Sequence, residues 1–67
     1  MHPQLYITRR NHGLTQTEVA EILGITLVTY HKKESGTAGF TLIEAIKLAK
    51  HFNCTLDNLF MKEEVTQ

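Results

Sequence analysis

An all-helical fold of five short helices is predicted by three features of this 67-residue chain: threonines at helix-start positions, glycines at helix-stop positions, and apolar residues recurring at helical spacing. Thr15 opens Thr-Gln-Thr-Glu18 and Thr41 opens Thr-Leu-Ile-Glu44. Each is a capping box, in which a hydroxyl and a carboxylate satisfy the amide donors that a helix start otherwise leaves orphaned. Thr26 and Thr55 offer the same acceptor ahead of Leu27 and Leu56. Gly13, Gly24 and Gly36 stand where a left-handed residue closes a last helical turn, and Asn53 is able to do the same.

These signals place helices at roughly 4 to 12, 16 to 23, 27 to 35, 42 to 52 and 56 to 61. In the second, Val19, Ala20 and Leu23 share a face; in the fourth, Leu42, Ala45, Ile46 and Ala49 repeat at i, i+3, i+4, i+7. Val19, Ala20, Leu23, Ile25, Leu42, Ile46, Ala49, Leu56 and Leu59 are expected to be largely buried and to form the core. No segment alternates for long enough to predict a sheet.

A composition of 42% hydrophobic and 21% charged residues, with one proline and no biased tract, is that of a globular chain. So short a chain buries only about 60% of the surface it exposes unfolded, enough for one thin core. Residues 1–67 are therefore expected to fold as one domain, with 62–67 as a short tail. No apolar run is long enough to span a bilayer and the start MHPQLYITRR lacks a signal peptide's apolar stretch, so a cytoplasmic location is expected. Cys54 is the only cysteine, which excludes an intrachain disulfide. His2, His12, His31 and His51 show no metal-ligand spacing with Cys54, and no nucleophile has a base partner. Neither a metal nor another cofactor is expected, nor enzymatic activity.

Two short helices separated by Gly24-Ile25-Thr26 have the length and turn chemistry of a helix-turn-helix, placed here at about 16–35. Ala20 permits close approach of the two helices, Gly24 supplies a positive φ at the corner, and Ile25 plugs it. The run Leu14-Thr-Gln16-Thr-Glu-Val19-Ala20-Glu-Ile-Leu23-Gly24-Ile25-Thr26 resembles the phage-repressor family of helix-turn-helix domains, the lambda repressor and Cro group of XRE type. Glu34-Ser-Gly36 resembles that family's Glu-Asn-Gly ending of the recognition helix. The stretch from Leu48-Ala49-Lys50 to Thr55-Leu56-Asp57-Asn58-Leu59-Phe60 resembles its last two helices. The resemblance covers roughly residues 5 to 60 and implies a five-helix lambda-repressor-like DNA-binding domain.

On a wheel of residues 27 to 35, Tyr30 and Lys33 fall toward the supporting helix, while Val28, His31, Lys32 and Ser35 face away, with Leu27 at the tip. The resemblance implies base contacts at Leu27, Val28 and Lys32 and phosphate contacts at Thr29 or His31; Thr26 is counted with them. Leu27 and Val28 suit thymine methyls, and Lys32 suits guanine O6 or N7, or a phosphate. The alternative for Leu27 is packing under the turn. Gln16, at the start of its helix, is expected to hold a phosphate together with the helix's amide donors, or else to be solvated. Arg9 and Glu34 occupy positions that pair across the first and third helices in this family, as a structural fork.

The chain departs from the family pattern at Tyr30 and Lys33, where aliphatic residues are usual. The Tyr30 hydroxyl then needs a partner, and the Lys33 stem must carry its ammonium out to water. The loop Thr37-Ala-Gly-Phe40 lacks the basic residues that often clamp DNA, and Phe40 reads as a core plug. Seven Lys and Arg balance seven Asp and Glu, a weak charge for a nucleic-acid binder. The expected function is sequence-specific transcriptional regulation, as a repressor, by a homodimer on an inverted-repeat operator of double-stranded DNA. The last helix, through Phe60 and Met61, supplies the expected dimer contact. The alternative is a protein–protein interaction module on the same fold, using Leu27, Val28 and Tyr30 or the Phe60-Met61 end to modulate another regulator.

Overall fold

Residues 2–60 are described in the computed structural model, and they form five helices with no strand among them. These are α1 (Pro3–Asn11), α2 (Gln16–Leu23), α3 (Leu27–Ser35), α4 (Leu42–His51) and α5 (Leu56–Phe60). All four threonine caps form. Thr15 Oγ1 accepts from the Glu18 amide at 3.1 Å while Glu18 Oε1 accepts from the Thr15 amide at 2.8 Å. Thr41 and Glu44 repeat that exchange at 3.1 and 3.0 Å. Thr26 and Thr55 take the amides of Thr29 and Asn58 at 3.1 and 3.0 Å. α1 starts differently, with Pro3 in its first turn, where the missing N–H would have had no helical partner. The His2 amide donates to the Glu34 carbonyl at 3.1 Å, tying this end of α1 to the last turn of α3.

Gly24 makes the corner between α2 and α3 at φ 75°. The Ile25 amide reaches back to the Ala20 carbonyl at 3.0 Å and the Gly24 amide to Glu21 at 3.1 Å, so the last carbonyls of α2 are satisfied as the chain turns. A Cβ built on Gly24 would meet nothing within 4 Å. The glycine is required by its backbone angle and not by crowding.

The core consists of Leu5, Val19, Ala20, Leu23, Tyr30, Leu48, Ala49, Phe52 and Leu59. α2 packs chiefly on α3, with Ala20 at 2% exposure, while α1 and α4 both pack on α5. Val19, Ala20, Leu23, Ala49 and Leu59 lie in the core as expected, but Ile25 and Leu56 are only half-buried. Leu42 and Ile46 are outside it, 67% and 37% exposed. The reason is helical phase. In α4 the stripe 45, 48, 49, 52 has the same i, i+3, i+4, i+7 spacing as 42, 45, 46, 49 and shares two members with it. The fold uses the former, so Leu48 and Phe52 are buried and Leu42, Ile43 and Ile46 face water. Cys54, with its thiol pushed up by burial, is half-buried against this core. No described helix is long and apolar enough to cross a membrane.

Candidate nucleic-acid interface

α3 has two unlike faces. Its outer face exposes Val28 by 65% and Leu27 by 45%, together with His31, Lys32 and Ser35. Leu27 is therefore not packed away under the turn. Thr26 is exposed at the helix start, and its hydroxyl donates to that of the half-buried Thr29 at 2.9 Å. The residues singled out for contact in this helix thus lie together around its first two turns and one side.

Its inner face carries Tyr30, Lys33 and Glu34, all buried. Glu34 is the hub of a polar cluster. Arg9 donates to it through Nε to Oε2 at 2.8 Å and through Nη2 to Oε1 at 3.2 Å, the fork expected across α1 and α3. A third Arg9 donor, Nη1, reaches the Leu14 carbonyl at 2.8 Å, just before α2. The Tyr30 hydroxyl donates to Glu34 Oε2 at 2.8 Å, which supplies the partner that so buried a phenol requires. Burial pushes the Glu34 carboxyl up, but the hydrogen bonds from Arg9, Gln16 and Tyr30 outweigh it and hold the group below its usual range. The Tyr30 phenol is pushed far up, by burial first and by the neighbouring Glu34 second.

Gln16 also belongs to this cluster. Its Nε2 donates to Glu34 Oε1 at 2.8 Å and its Oε1 lies 3.3 Å from His31 Nδ1. The side chain is half-buried and held between these two neighbours rather than simply solvated. Sequence spacing did not reveal this link, because Gln16 and Glu34 lie 18 residues apart and on different helices. Tyr6, Gln16, His31, Glu34 and Ser35 line a crevice of about 200 Å³ beside it.

Lys33 corrects an expectation. Its ammonium is not carried out to water: Nζ donates to the Gly39 carbonyl at 2.8 Å and pairs with Glu44 Oε1 at 2.9 Å. Glu44 therefore caps α4 and also anchors α3. Burial raises the Glu44 carboxyl, yet the Thr41 amide and Lys33 together bring it below its usual range. Phe40 follows in the same loop, half-buried and in ring contact with His2, Tyr30 and Phe60 at 5.4, 6.2 and 5.3 Å. Tyr30 is fully buried, so it is not part of any exposed apolar surface with Leu27 and Val28.

A family model described as helix-turn-helix matches residues 5–59 of this sequence. Comparison with curated proteins finds no match. The fold is similar to the crystal structure of a transcriptional regulator from Listeria innocua, with a TM-score of 0.83 and 27% sequence identity over 90% of this chain and 56% of that one. This chain spans little more than half the length of that protein. With the match running from Leu5 to Leu59 over a capped α2, a glycine turn and an α3 anchored to α1, the chain belongs to the phage-repressor-like, XRE-type family of helix-turn-helix domains.

Proposed function

We propose that the protein is a sequence-specific DNA-binding transcriptional regulator, a repressor, that acts without a cofactor and reads an operator major groove with residues 27–35. The observation that carries this reading is the contrast within α3. Apolar Leu27 and Val28 stand exposed beside Lys32 on a helix whose other face is locked by ion pairs, one of them buried. Side chains so placed suit thymine methyls and guanine acceptors, or the adjoining phosphates. Membership of the helix-turn-helix family and the likeness to a transcriptional regulator support the same conclusion.

Affinity from one such module is expected to be low, because Arg9 and Lys33 are already consumed by internal carboxylates. The reading therefore includes a homodimer on an inverted repeat, with half-sites about 10 base pairs apart or a multiple of that. Exposed Leu42, Ile43 and Ile46 favour a second copy as the occupant of the α4 and α5 side. Near them, His2, Phe40, Leu42, Ala45, Leu56 and Phe60 line an apolar crevice of about 450 Å³. Phe60 is half-buried there, and Met61 lies outside the described residues.

Selection from a random DNA pool tests the reading. An enriched inverted repeat, protected over two grooves in footprinting and bound with a steep salt dependence, is the expected result. A protein that enriches no motif and binds DNA no better at low salt than at high salt would be an interaction module instead.

A further inference from the structure

The hydrogen-bond chain under the outer face of α3 has a direction. Glu34, held ionised by the Arg9 fork, only accepts, so the Gln16 amide must present its Nε2 to Glu34 and its Oε1 to His31. An amide oxygen also only accepts. The His31 nitrogen facing it, Nδ1, must then carry a hydrogen. In a neutral imidazole the other nitrogen, Nε2, is left with a lone pair and no hydrogen. His31 is exposed on the side of α3 next to the start of α2, so Nε2 is the atom it has for a ligand.

Phosphate oxygens accept hydrogen bonds and do not donate them. A neutral His31 in this tautomer would set lone pair against lone pair. We propose, resting on the DNA-binding reading, that His31 contacts a DNA phosphate as an imidazolium, so that each half-site bound takes up a proton and the buried carboxylate of Glu34, acting through Gln16, is what imposes that requirement. The groups lining the crevice around the ring are consistent with this. Gln16 from α2 is neutral, and Tyr6 from α1 has its hydroxyl oxygen occupied by Arg10 Nη1 at 2.8 Å. Glu34 from α3 is satisfied by Arg9, Tyr30 and Gln16. The proton for Nε2 is taken from solvent.

Two measurements test the proposal, one without DNA. Long-range proton–nitrogen NMR of the free protein above pH 8 should find His31 as the Nδ1–H tautomer. In Gln16→Leu it should move toward Nε2–H, the form that unconstrained imidazole prefers. Next, binding to the selected operator is titrated at fixed ionic strength. Affinity of the native protein should fall about tenfold or more from about pH 6 to about pH 8, since each linked proton contributes up to tenfold per pH unit. His31→Gln should flatten that slope to about twofold, and Gln16→Leu should weaken it while leaving His31 in place; a melt of each variant verifies folding. An Nε2–H tautomer in the native protein, or an equal pH slope in His31→Gln, overturns the proposal. Absence of any DNA binding at either pH sinks the DNA-binding reading itself, and the phosphate contact with it. Binding with an unchanged slope sinks the phosphate contact alone.

Discussion

On its inner face α3 buries Tyr30, Lys33 and Glu34, and each is tied by a hydrogen bond or ion pair to another group. On its outer face the same helix leaves Val28 largely bare and Leu27 and Lys32 exposed. The first arrangement places charge where water is scarce and answers it with fixed partners. The second places apolar surface where water is plentiful and leaves it unanswered. Inner-face changes should therefore appear in stability, and outer-face changes in binding. The two inner ion pairs also differ: Arg9 and Glu34 have side-chain exposures of 7% and 4%, against 11% and 15% for Lys33 and Glu44.

The largest effect is expected at Glu34. Glu34→Ala leaves the Arg9 guanidinium buried without its carboxylate and strips Tyr30 and Gln16 of their acceptor. Breaking one partner of a buried pair costs about 3 kcal/mol or more. In a domain of this size that lowers the melting temperature by roughly 12 °C or more. Arg9→Met combined with Glu34→Leu should recover much of the loss, because the cost lies in the orphaned charge and not in the absent pair. The acid limb of stability reports on the same carboxyl. Its folded-state pKa is depressed, so its contribution is complete above the ordinary carboxylate range and fades as pH falls through the lower folded value. Glu34→Gln should flatten that acid limb in a pH series of urea melts.

Element starts and stops were readable because they are local: a threonine, two residues and a glutamate carry the whole capping box. The corner at Gly24 and the fork between Arg9 and Glu34 were also expected, the latter only through resemblance. Two things were not legible. The phase of α4 was ambiguous because Leu42, Ile43, Ala45, Ile46, Leu48, Ala49 and Phe52 make more than one stripe of helical spacing, and only packing on α2 and α5 selects between them. The Gln16 and Lys33 bonds join residues brought together by the turn and the loop, and no periodicity encodes them.

The next effect in size belongs to the corner on which both faces depend. Gly24→Ala meets no neighbour, so its cost is that of an L side chain at φ 75°, about 1–2 kcal/mol. Gly24→Asn should cost less, since asparagine adopts that conformation more readily. Urea midpoints with an unchanged m-value would check both. A loss well above this range in Gly24→Ala would mean that the turn is crowded after all.

Lys33→Met tests the milder ion pair. The methionine keeps the apolar stem and removes the ammonium, so the Gly39 carbonyl and Glu44 lose a donor. Glu44 retains the Thr41 amide at 3.0 Å and more contact with water than Glu34 has. The expected loss is about 1 kcal/mol, well below that at Glu34, and is read in the same urea melts. Equal losses at the two sites would erase the distinction between a buried hub and a partly solvated strap.

The smallest effect on stability, and the most informative for function, is expected from Lys32→Ala. Lys32 is exposed and lies on the face of α3 that also carries Val28 and His31, so its removal should change unfolding free energy by no more than about 0.5 kcal/mol. Operator affinity should nevertheless fall by about tenfold, and the manner of the loss identifies the contact. A uniform loss across sequences, with the salt slope reduced by about 1 per half-site, marks a phosphate partner. A loss confined to one base pair, with relaxed preference there and an almost unchanged salt slope, marks guanine O6 or N7. If Lys32→Ala instead destabilised the fold as Glu34→Ala does while leaving affinity intact, the outer face would be structural and the division of labour across α3 would be wrong.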